Sequence, residues 1–242
     1  MKSVSIAADA GSTLSGNLFL PKIPKDKSSA VLLLHGWESA QDRLFSLAER
    51  LAELGYICLT VDLRGHGETP GNRGELSRKD FLNDAFAAYD FLATQTHVDV
   101  AQISVVGSSF GAYLAALLTA QRAIAWLVMR VPADYEDETF ELPRAQDDGD
   151  KAVWRTTPRS WESTAALRAV HAFEGQILLV EAGRDEVVPK QTIINYKSAA
   201  PKNIEHHVME GAPHSFTGSP HLKETFNTLV VEWLERRVIG RH

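Results

Sequence analysis

The stretch ISVVGSSFGAYLAA, from Ile103 to Ala116, changes its periodicity halfway along. Its first half is a short apolar, β-branched run that reads as a buried strand. From Gly111 to Thr119 good helix formers follow without a proline. Between the two, Gly107-Ser108-Ser109-Phe110-Gly111 allows only a tight turn, with Ser109 at its tip. Gly107 and Gly111 keep Cβ atoms out of the space where helix and strand cross, and the helix N-terminus offers N–H groups to negative charge. This strand-turn-helix setting is that of a Gly-x-Ser-x-Gly nucleophile elbow. The rival reading is a nucleotide-binding turn, but neither G-x-G-x-x-G nor a Gly-Lys-Ser/Thr ending is present.

Upstream, Ala30 to Leu34 is a continuous apolar run, as in a strand covered on both faces, and it ends in His35-Gly36-Trp37. Gln41 to Leu54 has helical spacing, with Leu44, Leu47, Leu51 and Leu54 on one face and Gly55 as C-terminal cap. Tyr56 to Val61 is another apolar strand, ending in Asp62-Leu63-Arg64-Gly65-His66-Gly67, and Leu76 to Ala93 reads as a helix. At the start, Ser3 to Ala8 and Leu14 to Leu20 flank turn residues and predict an antiparallel hairpin. Downstream, Ile124 to Met129, Gln176 to Glu181 and Ile204 to Met209 read as strands, with helices at Lys190 to Ala199 and His221 to Val238. Such alternation implies βαβ units: an α/β fold with a mostly parallel eight-stranded sheet and helices on both faces.

At 242 residues, 44% apolar and 23% charged, the chain fits one α/β domain over residues 1–242. Cys58, its one cysteine, lies in the apolar run YICLTV and reads as a buried hydrophobe; no disulfide can form within the chain. No apolar run approaches the roughly 18 residues of a membrane span, and MKSVSIAADAGS lacks an apolar signal core. A cytoplasmic location with no membrane partner is the expectation. A net charge of −6 argues against a nucleic-acid partner. Without H-E-x-x-H or a Cys/His cluster, neither metal nor cofactor is expected.

A serine hydroxyl needs a base, and the base needs an orienting group. Asp185 lies in Gly183-Arg184-Asp185-Glu186-Val187-Val188-Pro189, directly after the Gln176–Glu181 strand. His214 lies in Gly211-Ala212-Pro213-His214-Ser215-Phe216, after the last strand. Both loops leave C-terminal strand ends, where α/β sheets form their crevices. Rivals exist for each role. Glu186 adjoins Asp185; His35, His66, His206, His207 and His221 are further histidines. His206 and His207 fall within a strand and read as solvated side chains, His35 as a brace for its loop, and His66 as a turn residue. Asp62 and Arg64 read as a pair that organises their loop.

Together these motifs resemble those of the α/β-hydrolases of serine esterase type, and the likeness runs the whole length of the chain. It implies that Ser109 attacks a carbonyl, that His214 is general base and then general acid, and that Asp185 orients His214. It also implies an oxyanion hole from the backbone N–H groups of Trp37 and Phe110.

From Val131 to about Arg159 the periodicity fails, broken by Pro132, Pro143 and Pro158. The segment reads as a small cap insertion at about 131–165, running into a helix from Trp161 to His171. Between Val131 and Trp161 acids outnumber bases eight to four, which reads as a solvated surface segment or, if it covers the pocket, as a field against polyanionic substrates. Tyr135, Phe140 and Trp154, with Trp37 and Phe110, are candidates for an apolar acyl or aryl pocket. The expected activity is hydrolysis of a small to medium carboxylic ester through an acyl-enzyme, the ester being the partner. A thioesterase, amidase or peptidase with the same triad is the alternative, and a non-catalytic binding protein on this scaffold a further one.

Overall fold

The computed structural model describes residues 1–23, 26–146, 151–200 and 202–239. The chain opens with the antiparallel hairpin β1 (Lys2–Ala7) and β2 (Thr13–Phe19), then passes to β3 (Ser28–Leu34) at the centre of the sheet. A 3₁₀ turn, Gln41–Leu44, leads into α1 (Phe45–Glu53), β4 (Ile57–Val61) and α2 (Arg78–Ala93). The elbow strand β5 (Val98–Ser108) and its helix α3 (Phe110–Leu118) follow, then β6 (Trp126–Arg130), α4 (Lys151–Thr156), α5 (Ala165–Ala172) and β7 (Gln176–Ala182). Helix α6 (Lys190–Ala199), β8 (Ile204–Met209) and α7 (Pro220–Ile239) complete the chain.

The eight strands form one sheet in the order β1-β2-β4-β3-β5-β6-β7-β8, antiparallel at β1/β2 and β2/β4 and parallel from β4 to β8. Period-2 alternation splits its side chains between two cores. Ala30, Leu32 and Leu34 of β3 join α2, α3, α5 and α6 on one face; Val31 and Leu33 join α1 and α7 on the other. With apolar demand on both faces, the parallel strands read as unbroken hydrophobic runs. Their parallel direction gathers the loops after β3, β4, β5, β6, β7 and β8 at one edge.

Several boundaries differ from the sequence expectation. Strand β5 begins at Val98, because Asp99 and Gln102 are polar and Val100 and Ala101 are exposed, which leaves no buried apolar run there. Residues 41–44 form a 3₁₀ turn, since Gln41 turns inward to bond Asp62. Leu54 is exposed beyond the end of α1, while Gly55 makes the cap with φ 99°. Helix α5 starts at Ala165, where the Thr164 side chain accepts the Leu167 N–H, four residues after the expected Trp161.

Of the described part of segment 131–165 only the start meets the elbow, where the Ala133 N–H donates to Ser109 O and Tyr135 packs on Phe110, and the rest is docked elsewhere. Pro143 bridges Ser77, and Phe140 O accepts the Lys79 N–H, so residues 135–146 run along the start of α2. Helix α4 lies against α6, tied by Thr192 Oγ1 to Arg155 O and by Asn195 to Thr157 O and the Arg159 N–H. Nor are all its acids solvated: Asp134 is buried on Thr164, and Asp137 holds the Ala165 N–H and Arg168. Asp147, Asp148 and Asp150 lie outside the described residues. Among the described residues no helix is long and apolar enough to cross a membrane, and no group of side chains is arranged to hold a metal ion.

Candidate active site

Ser109 is the single residue between β5 and α3, and its φ of 53° and ψ of −114° are unusual for any side-chain-bearing residue. Such a conformation costs on the order of 1–3 kcal/mol and persists because its neighbours leave no alternative. Its N–H is fixed to Arg130 O at 2.8 Å, and its carbonyl takes the Ala112 and Tyr113 N–H groups. The glycines are required here: a Cβ on Gly107 would fall 2.6 Å from Ala112 Cα, and one on Gly111 2.5 Å from His35 O. The hydroxyl thus stands proud of the sheet edge, and the Phe110 N–H, first in α3, has no intrahelical acceptor. The His35-Gly36-Trp37 loop presses against the turn, since a Cβ on Gly36 would lie 3.4 Å from Ser109 Cβ.

The structure brings Ser109, His214 and Asp185 into one line. Ser109 Oγ is 3.1 Å from His214 Nε2, and His214 Nδ1 is 2.9 and 3.0 Å from the two Asp185 oxygens. Asp185 Oδ1 also accepts the Val187 and Val188 N–H groups at 2.8 and 2.7 Å. Partial burial works to raise the Asp185 pKa, but the hydrogen bonds from His214, Val188 and Val187 outweigh it and hold the carboxyl below its ordinary range. An ionised Asp185 takes Nδ1–H, which leaves the Nε2 lone pair toward Ser109. Glu186 faces the backbone instead, where its carboxylate accepts the N–H of His214 at 3.1 Å. The two loops are also tied to each other, Arg184 N–H to Ala212 O at 2.9 Å and Gly183 N–H to Met209 O at 3.0 Å.

Sequence reasoning missed Arg130. Its guanidinium, at the end of β6, donates to Ser108 Oγ and to the carbonyls of Pro213 and His214, and lies 3.8 Å from the Phe216 ring centroid. Burial pulls its pKa down to about 10, which still leaves it charged at neutral pH. The available signal was a cation closing the apolar run Trp126–Met129, one strand from the elbow.

The other histidines have separate roles. Leu63 N–H donates to His35 Nε2, so His35 carries its proton on Nδ1 and donates to Gly36 O at 2.7 Å. Burial lowers its pKa, and the neutral ring braces the 35–37 loop against the 62–67 loop. His66 is buried, stacks near His35 and Trp37, and has its pKa drawn to about 4, first by burial and then by His35. His206 is not simply solvated: it is half-buried and bonds Glu181 at 2.9 Å, whereas His207 and His221 are exposed. Asp62 and Arg64 are not a pair either. Asp62 accepts from Gln41 and the Glu68 N–H, while Arg64 binds Asp84 and Asp9. Each organises the loop alone, because the chain turns between them.

A cavity of about 680 Å³ opens at Ser109, with Trp37, His66, Arg130, His214 and Phe216 in its wall. Of the expected pocket aromatics Trp37 lines it, whereas Phe110, Tyr135, Phe140 and Trp154 do not. Tyr135 is buried against Tyr113 and Phe110, Phe140 packs on the core, and Trp154 is covered by the Arg159 guanidinium at 3.9 Å. Phe216 and Phe226, from the histidine loop and α7, supply apolar wall in their place.

Residues 25–137 match the family model described as serine aminopeptidase, S33, a span holding Trp37 and Ser109 but neither Asp185 nor His214. An uncharacterized protein of Mycobacterium tuberculosis is 29% identical over 204 residues, covering 83% of this chain and 68% of that protein. Among solved structures, Est1E from Butyrivibrio proteoclasticus superposes with a TM-score of 0.73 at 19% identity, covering 99% of this chain and all of that one, 100%. The Pyrococcus furiosus esterase Pf2001 does so with a TM-score of 0.71 at 24% identity, covering 97% and 91%. Likeness at these identities speaks to the fold, which is that of the α/β-hydrolases.

Proposed function

We propose that this chain, an α/β-hydrolase by fold, is a serine hydrolase that cleaves small to medium carboxylic esters through an acyl-enzyme. The observation that carries this reading is the unbroken hydrogen-bond line from Ser109 Oγ through His214 to Asp185. As Ser109 Oγ bonds to the ester carbon, His214 Nε2 takes its proton, and the imidazolium is stabilised by ionised Asp185. The carbonyl oxygen gains its charge beside the Trp37 and Phe110 N–H groups, and each such donor is worth about 10²–10³ in turnover. Collapse expels the alcohol with the proton from His214. Water, deprotonated by the same imidazole, then releases the acid from Ser109.

The test is intact mass after reaction with an organophosphonate, on wild type and Ser109→Ala, beside ester panels of graded acyl length. One adduct on wild type alone, with ester turnover that Ser109→Ala abolishes, is the expected result. Turnover unchanged in Ser109→Ala would point to another nucleophile. A peptidase reading draws on one observation: Glu38 and Asp42 line the cavity, and a carboxylate there would hold a free ammonium. Aminoacyl anilides cleaved faster than esters would favour it.

A further inference from the structure

The cavity beside Ser109 carries charge opposite to that of the chain. The net charge of the whole is −6, yet Arg43, Arg73, Arg130 and Lys223 line the cavity against Glu38 and Asp42. Arg130 is engaged with the histidine loop. Arg73 is not so engaged: among the described residues no carboxylate lies within ion-pair distance of it. Outside the cavity, Arg50, Arg64, Arg122 and Arg168 each hold a carboxylate at 2.5–2.7 Å.

Arg73 is also held in place. Its stem fills the space left by Gly65, where a Cβ would fall 2.6 Å from Arg73 Cγ, and its guanidinium stands 5.8 Å from the Trp37 ring centroid. Trp37 belongs to the loop that touches Ser109. His66, in the same wall, is held neutral by burial and adds no second positive charge beside Arg73. A fixed, half-buried guanidinium with the Trp37 face beside it but no carboxylate has given up part of its hydration, which an anion would restore. Its planar fork matches a carboxylate in two parallel hydrogen bonds.

We propose that Arg73 binds a carboxylate at the far end of the substrate, so that the preferred ester is a half-ester of a dicarboxylic acid or an acylated hydroxy acid. The proposal rests on the serine-hydrolase reading of Ser109. Monoethyl succinate, glutarate, adipate and suberate, and acetoxy acids of similar length, are compared with neutral ethyl esters of matching size by proton release. For the acid ester of best-fitting length, kcat/KM exceeds that of its neutral match by about tenfold or more. The preference weakens as salt is raised, because it is electrostatic. In Arg73→Gln the ratio falls about tenfold through a raised KM for the acid ester, and Arg73→Lys recovers part of it. A ratio taken within one preparation is insensitive to a partly folded fraction. No preference in wild type overturns the proposal. So does a preference that survives Arg73→Gln and is lost in Arg43→Gln or Lys223→Gln. If neutral esters turn over and Ser109 forms its phosphonate adduct in those same preparations, the hydrolase reading stands while this proposal falls. If neither occurs, both fall.

Discussion

Replacing Asp185 by Asn changes one atom, and the hydrogen bonds around that atom fix its consequence. Oδ1 of Asp185 takes two backbone donors, the Val187 N–H at 2.8 Å and the Val188 N–H at 2.7 Å. An Asn at this position keeps those two bonds only with its carbonyl oxygen at the Oδ1 place. Its NH₂ group then stands where Oδ2 was, 2.9 Å from His214 Nδ1. Two donors cannot face each other, and the carbonyl oxygen, 3.0 Å from Nδ1, is already taken by the two backbone N–H groups, so Nδ1 gives up its proton and Nε2 receives it. A protonated neutral Nε2 donates to Ser109 Oγ and cannot accept its proton. The same exchange in other Ser-His-Asp enzymes costs about 10⁴ in kcat, or about 5.5 kcal/mol of transition-state stabilisation. Steady-state turnover of a neutral aryl ester, with thermal unfolding as the check on folding, measures it. Glu186→Gln is the control, since its amide oxygen still accepts the His214 N–H, and the expected loss is under about tenfold. A loss below tenfold in Asp185→Asn, or a greater loss in Glu186→Gln, would refute the assignment and move the acid role to Glu186.

Arg130→Met fills the volume of the arginine stem but deletes the bonds to the Pro213 and His214 carbonyls. Turnover should fall about 10- to 100-fold with KM little changed, because the imidazole loses its position while the cavity wall keeps its shape; a change confined to KM would make Arg130 a substrate contact instead. Burial raises the pKa of Asp134 to about 7, against which the bonds from Thr164 and the Tyr135 N–H work. A carboxyl whose folded pKa is raised keeps its proton when the unfolded chain has lost it, so stability falls as pH rises from about 4 to about 7. Asp134→Asn removes that dependence, and its melting temperature should gain on wild type between pH 5 and pH 8. A constant difference across that range would show that Asp134 does not titrate there.

What the sequence made legible was what leaves a period or a spacing. The strands from β3 to β7 are covered on both faces and so show continuous apolar runs, and the elbow carries two glycines whose absent Cβ atoms the helix crossing demands. Ser109, Asp185 and His214 could be named together because each follows a recognisable strand. The pocket could not be read in the same way. Tyr135, Phe140 and Trp154 lie on a segment without periodicity, and nothing local says which way an aromatic ring turns there. Tyr135 turned inward to Phe110 and Tyr113. Phe216 and Phe226, which do line the cavity, come from the histidine loop and the closing helix, whose spacing does not tell which ring meets a cavity.

Asp62 and Asp185 mark the limit most sharply, because in sequence they are alike. Each follows an apolar strand, each sits in a glycine-bearing loop, and each has a histidine to serve, His66 or His214. The identity of their hydrogen-bond donors separates them. Asp62 gives its oxygens to Gln41 N–H, Gln41 Nε2 and Glu68 N–H rather than to an imidazole, and a Cβ on Gly67 would collide with its carboxylate. Asp185 gives Oδ1 to two backbone N–H groups and still presents both oxygens to His214 Nδ1, Oδ2 at 2.9 Å and Oδ1 at 3.0 Å. Gln41, the residue that occupies Asp62, lies in a stretch that reads simply as helix; its inward turn converts that stretch to a 3₁₀ turn and Asp62 to a loop anchor. A carboxylate's role is thus set by which donors reach it, a property of tertiary contacts that spacing along the chain does not encode.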